Sequence, residues 1–123
     1  MNRADAIIVI YGNDSVLLET RRLILTGSGF CPITTDRSES TIEIISAKDV
    51  DLLILCSSLS EVECGIILTE LNRLGKSEIR TLAITKAEST FDIKTARVLT
   101  SPVSPHTFQS VVGSLVDAPS ACG

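Results

Sequence analysis

Asp49-Val-Asp-Leu-Leu-Ile-Leu-Cys-Ser-Ser-Leu59 decides the fold of this chain. Leu52, Leu53, Ile54 and Leu55 run without polar alternation between hydrophilic ends. A strand wet on one face would alternate; a strand covered on both faces by helices does not. The run therefore predicts a central strand of a parallel sheet. It ends at Cys56, and in open parallel sheets the carboxyl ends of the strands border the ligand crevice. Cys56 is thus the first candidate for chemistry.

Working outward, Ala6-Ile-Ile-Val-Ile-Tyr11 is a second unbroken apolar run, rich in β-branched residues, and reads as a buried strand. Gly12-Asn13-Asp14-Ser15 supplies a turn and a helix N-cap. The helix over 16–26 repeats Val16-Leu17-Leu18 as Leu23-Ile24-Leu25, with Thr20 taking one inward position. Arg21-Arg22 reads as a solvated helix face. Gly27 and Gly29 stop this helix.

Residues 30–35 form a short strand containing Pro32, which belongs at a sheet edge because proline donates no ladder hydrogen bond. Ser40 and Glu43 have the spacing of a capping box, opening a helix to residue 48. The helix over 61–74 places Ile67, Leu71 and Leu74 on its inner stripe, with Val62 and Ile66 alongside. Strands follow over 79–85 and 97–100. Ser104-Pro105 opens the last helix, with Phe108, Val111, Val112 and Leu115 facing inward.

Strands and helices alternate throughout, as in a parallel sheet with helices on both faces. With right-handed crossovers and the second strand at an edge, the economical strand order is 2-1-3-4-5. The expected class is α/β: a flavodoxin-like (βα)5 doubly wound parallel sheet. The domain is expected to span 1–117, with 118–123 a flexible C-terminal tail.

The chain of 123 residues suits one domain. With 44% hydrophobic but only 3% aromatic residues, its core must be aliphatic. A net charge of −4 and no basic run speak against nucleic acid. No stretch has the ~18 apolar residues of a membrane span, and residues 1–11 lack a signal-peptide pattern. A cytoplasmic location is expected. Cys31, Cys56, Cys64 and Cys122 form no CxxC pair, and His106 is the single histidine. Neither a zinc site nor any other metal or cofactor is expected.

These segments resemble the receiver domain of two-component response regulators. The resemblance rests on Gly29-Phe30, Ser40-Thr-Ile-Glu-Ile-Ile45, Val50-Asp-Leu-Leu-Ile-Leu55, Leu82-Ala-Ile-Thr85 and Val98-Leu-Thr-Ser-Pro-Val103. In that family an Asp after the third strand accepts a phosphoryl group. Two acids after the first strand hold Mg²⁺ with it, and a Thr or Ser and a Lys contact the phosphoryl oxygens. A hard cation requires carboxylate oxygens, and the transferred charge must be neutralised.

Carried over position by position, the resemblance puts Cys56 at the acceptor position. The acidic-pair positions fall on Tyr11 and Gly12, or on Gly12 and Asn13. Ser101 stands at the Lys position, and Thr85 alone keeps its type. Val98 occupies the aromatic switch position, and Ser60 the usual proline. The stretch between Thr85 and Ser101 is shorter than the family's, implying a fourth helix shortened or absent.

The resemblance thus implies a degenerate pseudo-receiver, not an enzyme. It would work as a phosphorylation-independent protein-interaction module for a partner in a signalling pathway, a homodimer being one form open to it. Two alternatives stay open. One is a thiol-based redox sensor or enzyme using Cys56; the other is a small anionic ligand bound in the ancestral pocket by Thr85, Ser57 and backbone amides. Exposed apolar surface is expected at Ile42, Ile44 and Ile45, or within residues 88–94.

Overall fold

A computed structural model describes residues 7–48, 50–56, 61–75, 79–86, 97–101 and 104–117. The elements run β1 (Ile8–Tyr11), α1 (Ser15–Gly27), β2 (Ile33–Thr35), α2 (Ser38–Ala47), β3 (Leu52–Leu55), α3 (Glu61–Arg73), β4 (Arg80–Lys86), β5 (Arg97–Ser101) and α4 (Pro105–Asp117). All strand pairs are parallel, in the order β2-β1-β3-β4-β5. This is the doubly wound order expected from the sequence. The expectations for a fourth helix between β4 and β5 and for the tail at 118–123 lie outside the described residues.

The apolar run at β3 is buried on both faces, and strand alternation divides its side chains. Leu52, Ile54 and Cys56 join Ile8, Ile10, Leu82 and Ile84 in one cluster with Leu18 and Leu25 of α1 and Phe108, Val112 and Val116 of α4. Leu53 and Leu55 join Val9, Tyr11 and Ala83 in the other, with Ile45 of α2 and Cys64, Ile67 and Leu71 of α3. The sheet therefore separates an α1/α4 layer from an α2/α3 layer.

The helix ends follow local chemistry. Asp14 Oδ1 accepts from Val16 N at 3.0 Å and Leu17 N at 3.2 Å, capping α1. At its other end Gly29 has φ +96°, which a side chain would resist. Gly29 N donates to Thr26 O and Phe30 N to Leu25 O, the Schellman pattern, and Phe30 folds onto the α1/α4 cluster. Ser104 Oγ accepts from Thr107 N at 3.1 Å to cap α4. Arg80 Nη1 donates to Leu115 O in the last turn of α4, where a cation complements the helix dipole.

Several helix faces depart from expectation. Helix α2 begins at Ser38, not after Ser40, and its N-cap Arg37 makes no side-chain cap bond. The earlier start turns Thr41 inward, where its hydroxyl meets that of buried Thr35 at 2.6 Å. A buried hydroxyl pair with each oxygen satisfied outweighs an exposed capping box. On α1 the inward position goes to Arg21, and Thr20 is exposed.

On α3 Cys64 takes the inner position, while Val62 and Ile66 point outward. Val62 is 71% and Val16 72% exposed. Ile42 and Ile44 are half-buried against the α2/α3 cluster, and Ile45 is buried. The exposed apolar side chains among the described residues therefore lie on α1 and α3, not on α2. On α4, Val116 is buried and Leu115 only half so.

Candidate functional site

The sheet gathers the carboxyl ends of its strands at one edge. Tyr11 is paired with Leu55, and Leu55 with Ala83. Cys56 N donates to Tyr11 O at 3.0 Å, and Gly12 N to Thr35 O at 3.1 Å. Tyr11, Gly12 and Cys56 are thus fixed side by side. Thr85 stands two residues beyond Ala83 on β4, and Ser101 ends β5 opposite Lys86. The backbone brings together every candidate position except Ser57, which lies outside the described residues.

Their side chains diverge. Cys56 turns into the α1/α4 layer, and Tyr11 into the α2/α3 layer. Tyr11 is buried, its hydroxyl bonded with Ser38, and burial followed by the nearby Glu63 carboxylate pushes its pKa up. Asn13 Nδ2 donates to both Glu63 oxygens at 2.9 Å, tying the β1–α1 loop to α3. The Asp14 carboxylate is spent on capping α1. His106 is exposed in the first turn of α4.

Cys56 is 2% exposed, and burial pushes its thiol up to about 11, partly offset by the positive charge of Arg21. A thiolate is the reactive form. Relative to an ordinary thiol near 9, the thiolate fraction falls by about a hundredfold at neutral pH. Cys31, by contrast, is free and exposed. Limited alkylation at pH 7.5, read by peptide mass spectrometry, should label Cys31 well before Cys56. Faster labelling of Cys56 would return the thiol-chemistry alternative to the front.

Two crevices flank α1. One, of about 280 Å³, is lined by Asn13, Ser15, Leu18, Glu19, Thr34, Thr35 and Asp36. Its two carboxylates oppose an anion. The other, of about 100 Å³, lies between α1 and the first turn of α4, and Arg21 forms part of its wall. Arg21 is the residue that reading the sequence missed. Its signal was available: Leu18, Arg21 and Leu25 follow the inner-stripe spacing. A charged side chain at that spacing is ordinarily solvated, which hides its burial. Among the described residues, no three His, Cys, Asp or Glu side chains converge as metal ligands.

No family model matches the chain, and neither does any curated protein. Solved structures do match. A response regulator receiver domain protein from Clostridium thermocellum superimposes with a TM-score of 0.80 at 15% identity, covering 96% of this chain and 99% of that one. The receiver domain of the Francisella response regulator 1452 gives 0.79 at 12% identity, covering 93% and 98%. A CheY-like receiver domain protein from Methanospirillum hungatei gives 0.77 at 16% identity, covering 96% and 98%. On this likeness over nearly the whole chain, the chain has the fold of response regulator receiver domains.

Proposed function

We propose that this chain is a pseudo-receiver: a non-enzymatic signalling domain that binds a protein partner independently of phosphorylation. The observation that carries the reading is Cys56, a buried, neutral thiol at the end of β3. The family resemblance places the phosphoacceptor Asp there. The acidic-pair positions Tyr11, Gly12 and Asn13 carry no carboxylate. Tyr11 is turned under α2 and α3, and Asn13 is held by Glu63. This donor set does not fit Mg²⁺, which requires carboxylate oxygens in near-octahedral array.

With the phosphoryl chemistry gone, what remains is a rigid sheet presenting helix faces. Val62 and Ile66 on α3 and Val16 on α1 are exposed apolar side chains of the kind a protein partner covers. A cytoplasmic location and a partner in a signalling pathway follow from the same reading, and a second copy of the chain is one such partner. Sedimentation equilibrium reads self-association directly.

Incubation with acetyl phosphate and Mg²⁺ tests the central point. Intact mass should stay unchanged. A stoichiometric phosphoryl adduct on any carboxylate would sink the reading.

A further inference from the structure

Arg21 carries a charge into the α1/α4 layer, and no described residue pairs with it as a counter-charge. The residue is 8% exposed, and its Nη1 is buried with no hydrogen-bond partner. The ion pairs among the described residues are Arg22–Glu19 and Arg73–Glu70, both on helix surfaces, and neither engages Arg21. The neighbouring Cys56 thiol is held neutral by its own burial, so it supplies no anion. The Phe108 ring, 5.9 Å from Arg21 Cζ, offers only a cation–π contact. A buried cation normally pairs with an anion, because desolvation otherwise goes uncompensated.

The surroundings favour an anion from outside the chain. The crevice of about 100 Å³ is lined by Leu17, Thr20, Arg21, Ile24, Pro105 and Phe108. None of these is acidic, unlike the crevice holding Glu19 and Asp36. Pro105 and Phe108 belong to the first turn of α4, a helix of 13 residues whose positive dipole end lies there. The space exceeds the ~10–15 Å³ that one water needs by severalfold. Leu17, Ile24, Pro105 and Phe108 make most of the wall apolar, which strengthens a charge pair formed against it.

From this arrangement we infer that the α1–α4 crevice binds a small oxyanion of the class of inorganic phosphate, with Arg21 as its principal ligand. A planar guanidinium offers paired donors that match two oxygens of such a group, and the α4 dipole adds to the attraction. The inference does not depend on the partner-binding reading; it stands on an uncompensated charge and a cavity.

The test is titration of the full chain with sodium phosphate against sodium chloride at matched ionic strength. Arginine side-chain and backbone NMR signals report the outcome. Phosphate should give saturable shifts confined to Arg21, His106, Phe108 and their neighbours, and should raise the melting temperature. R21M should weaken binding by about tenfold or more, the worth of one charge-assisted hydrogen bond. It should also melt higher than the parent without phosphate, since the unpaired charge is gone.

R21K should bind with intermediate strength, keeping the charge but losing the fork. Equal shifts with chloride, a saturable site elsewhere, or undiminished binding by R21M would each overturn the inference. Should R21M fail to fold, the parent titration and R21K decide the matter alone.

Discussion

Ile54→Ala should lower the unfolding free energy by about 3–4 kcal/mol. Ile54 is fully buried at the centre of β3, paired with Ile10 on one side and Leu82 on the other. Its side chain sits in the α1/α4 layer with Leu18, Leu25 and Phe108. Both transfer and cavity terms apply, because close-packed neighbours on a hydrogen-bonded sheet move little to fill a void. Small domains are stable by only roughly 5–15 kcal/mol, so this one side chain carries a large share. Urea denaturation at constant m-value measures the loss. Leu23→Ala, on the exposed side of α1, is the control and should stay within about 0.5 kcal/mol. Equal effects at the two positions would mean that the layer assignment is wrong.

Cys56→Asp should be the second most damaging change, although Asp is the residue type that the resemblance to receiver domains would put there. The carboxyl would enter a site 2% exposed, in a layer otherwise apolar apart from Arg21. Burial raises a carboxyl's pKa, so the folded value would lie above the unfolded one. Below the unfolded value both states are protonated, and ionisation costs nothing. As pH rises through the interval, the unfolded state releases its proton first and stability falls. Above the folded value the loss is complete, about 2–4 kcal/mol.

The variant should therefore melt closest to the parent near pH 4 and furthest below it near pH 8. Arg21 moderates the loss, so adding R21M to Cys56→Asp should deepen it. Acetyl phosphate should still leave the mass of Cys56→Asp unchanged, since Tyr11, Gly12 and Asn13 give Mg²⁺ no carboxylate. A variant as stable as the parent at pH 8 would show that this end of β3 is wetter than its packing implies.

The sheet was legible because its signals are local. An unbroken aliphatic run such as Leu52–Leu55 has one economical placement, between two helix layers. Pro32 marks β2 as an edge, and Asp14 and Gly29 punctuate α1 by side-chain and backbone chemistry that needs no distant partner. The approach of Tyr11, Gly12, Cys56 and Thr85 also followed, since parallel strands in a known order align their carboxyl ends.

Helix rotation was less legible. On α1 apolar and polar residues are spread around the axis, so Thr20 and Arg21 competed for one inward position. The ring of Phe108, from a helix far along the chain, gives the guanidinium a face to lie on. Likewise Val62 and Ile66 read as flanking the inner stripe of Ile67, Leu71 and Leu74, whereas Cys64 takes the buried flank and they stay exposed.

The sequence by itself therefore determined the strand order and the presence of Tyr11, Gly12, Asn13 and Cys56, none of them a carboxylate, at the ends of β1 and β3, because both depend on residue type and chain order. Only the tertiary structure decided that Arg21 is buried with no counter-ion among the described residues, that Tyr11 and Cys56 face opposite layers, and that Asn13 is tied to Glu63. Those outcomes depend on which side chains from distant segments fill the same space, and periodicity along one helix does not contain that information.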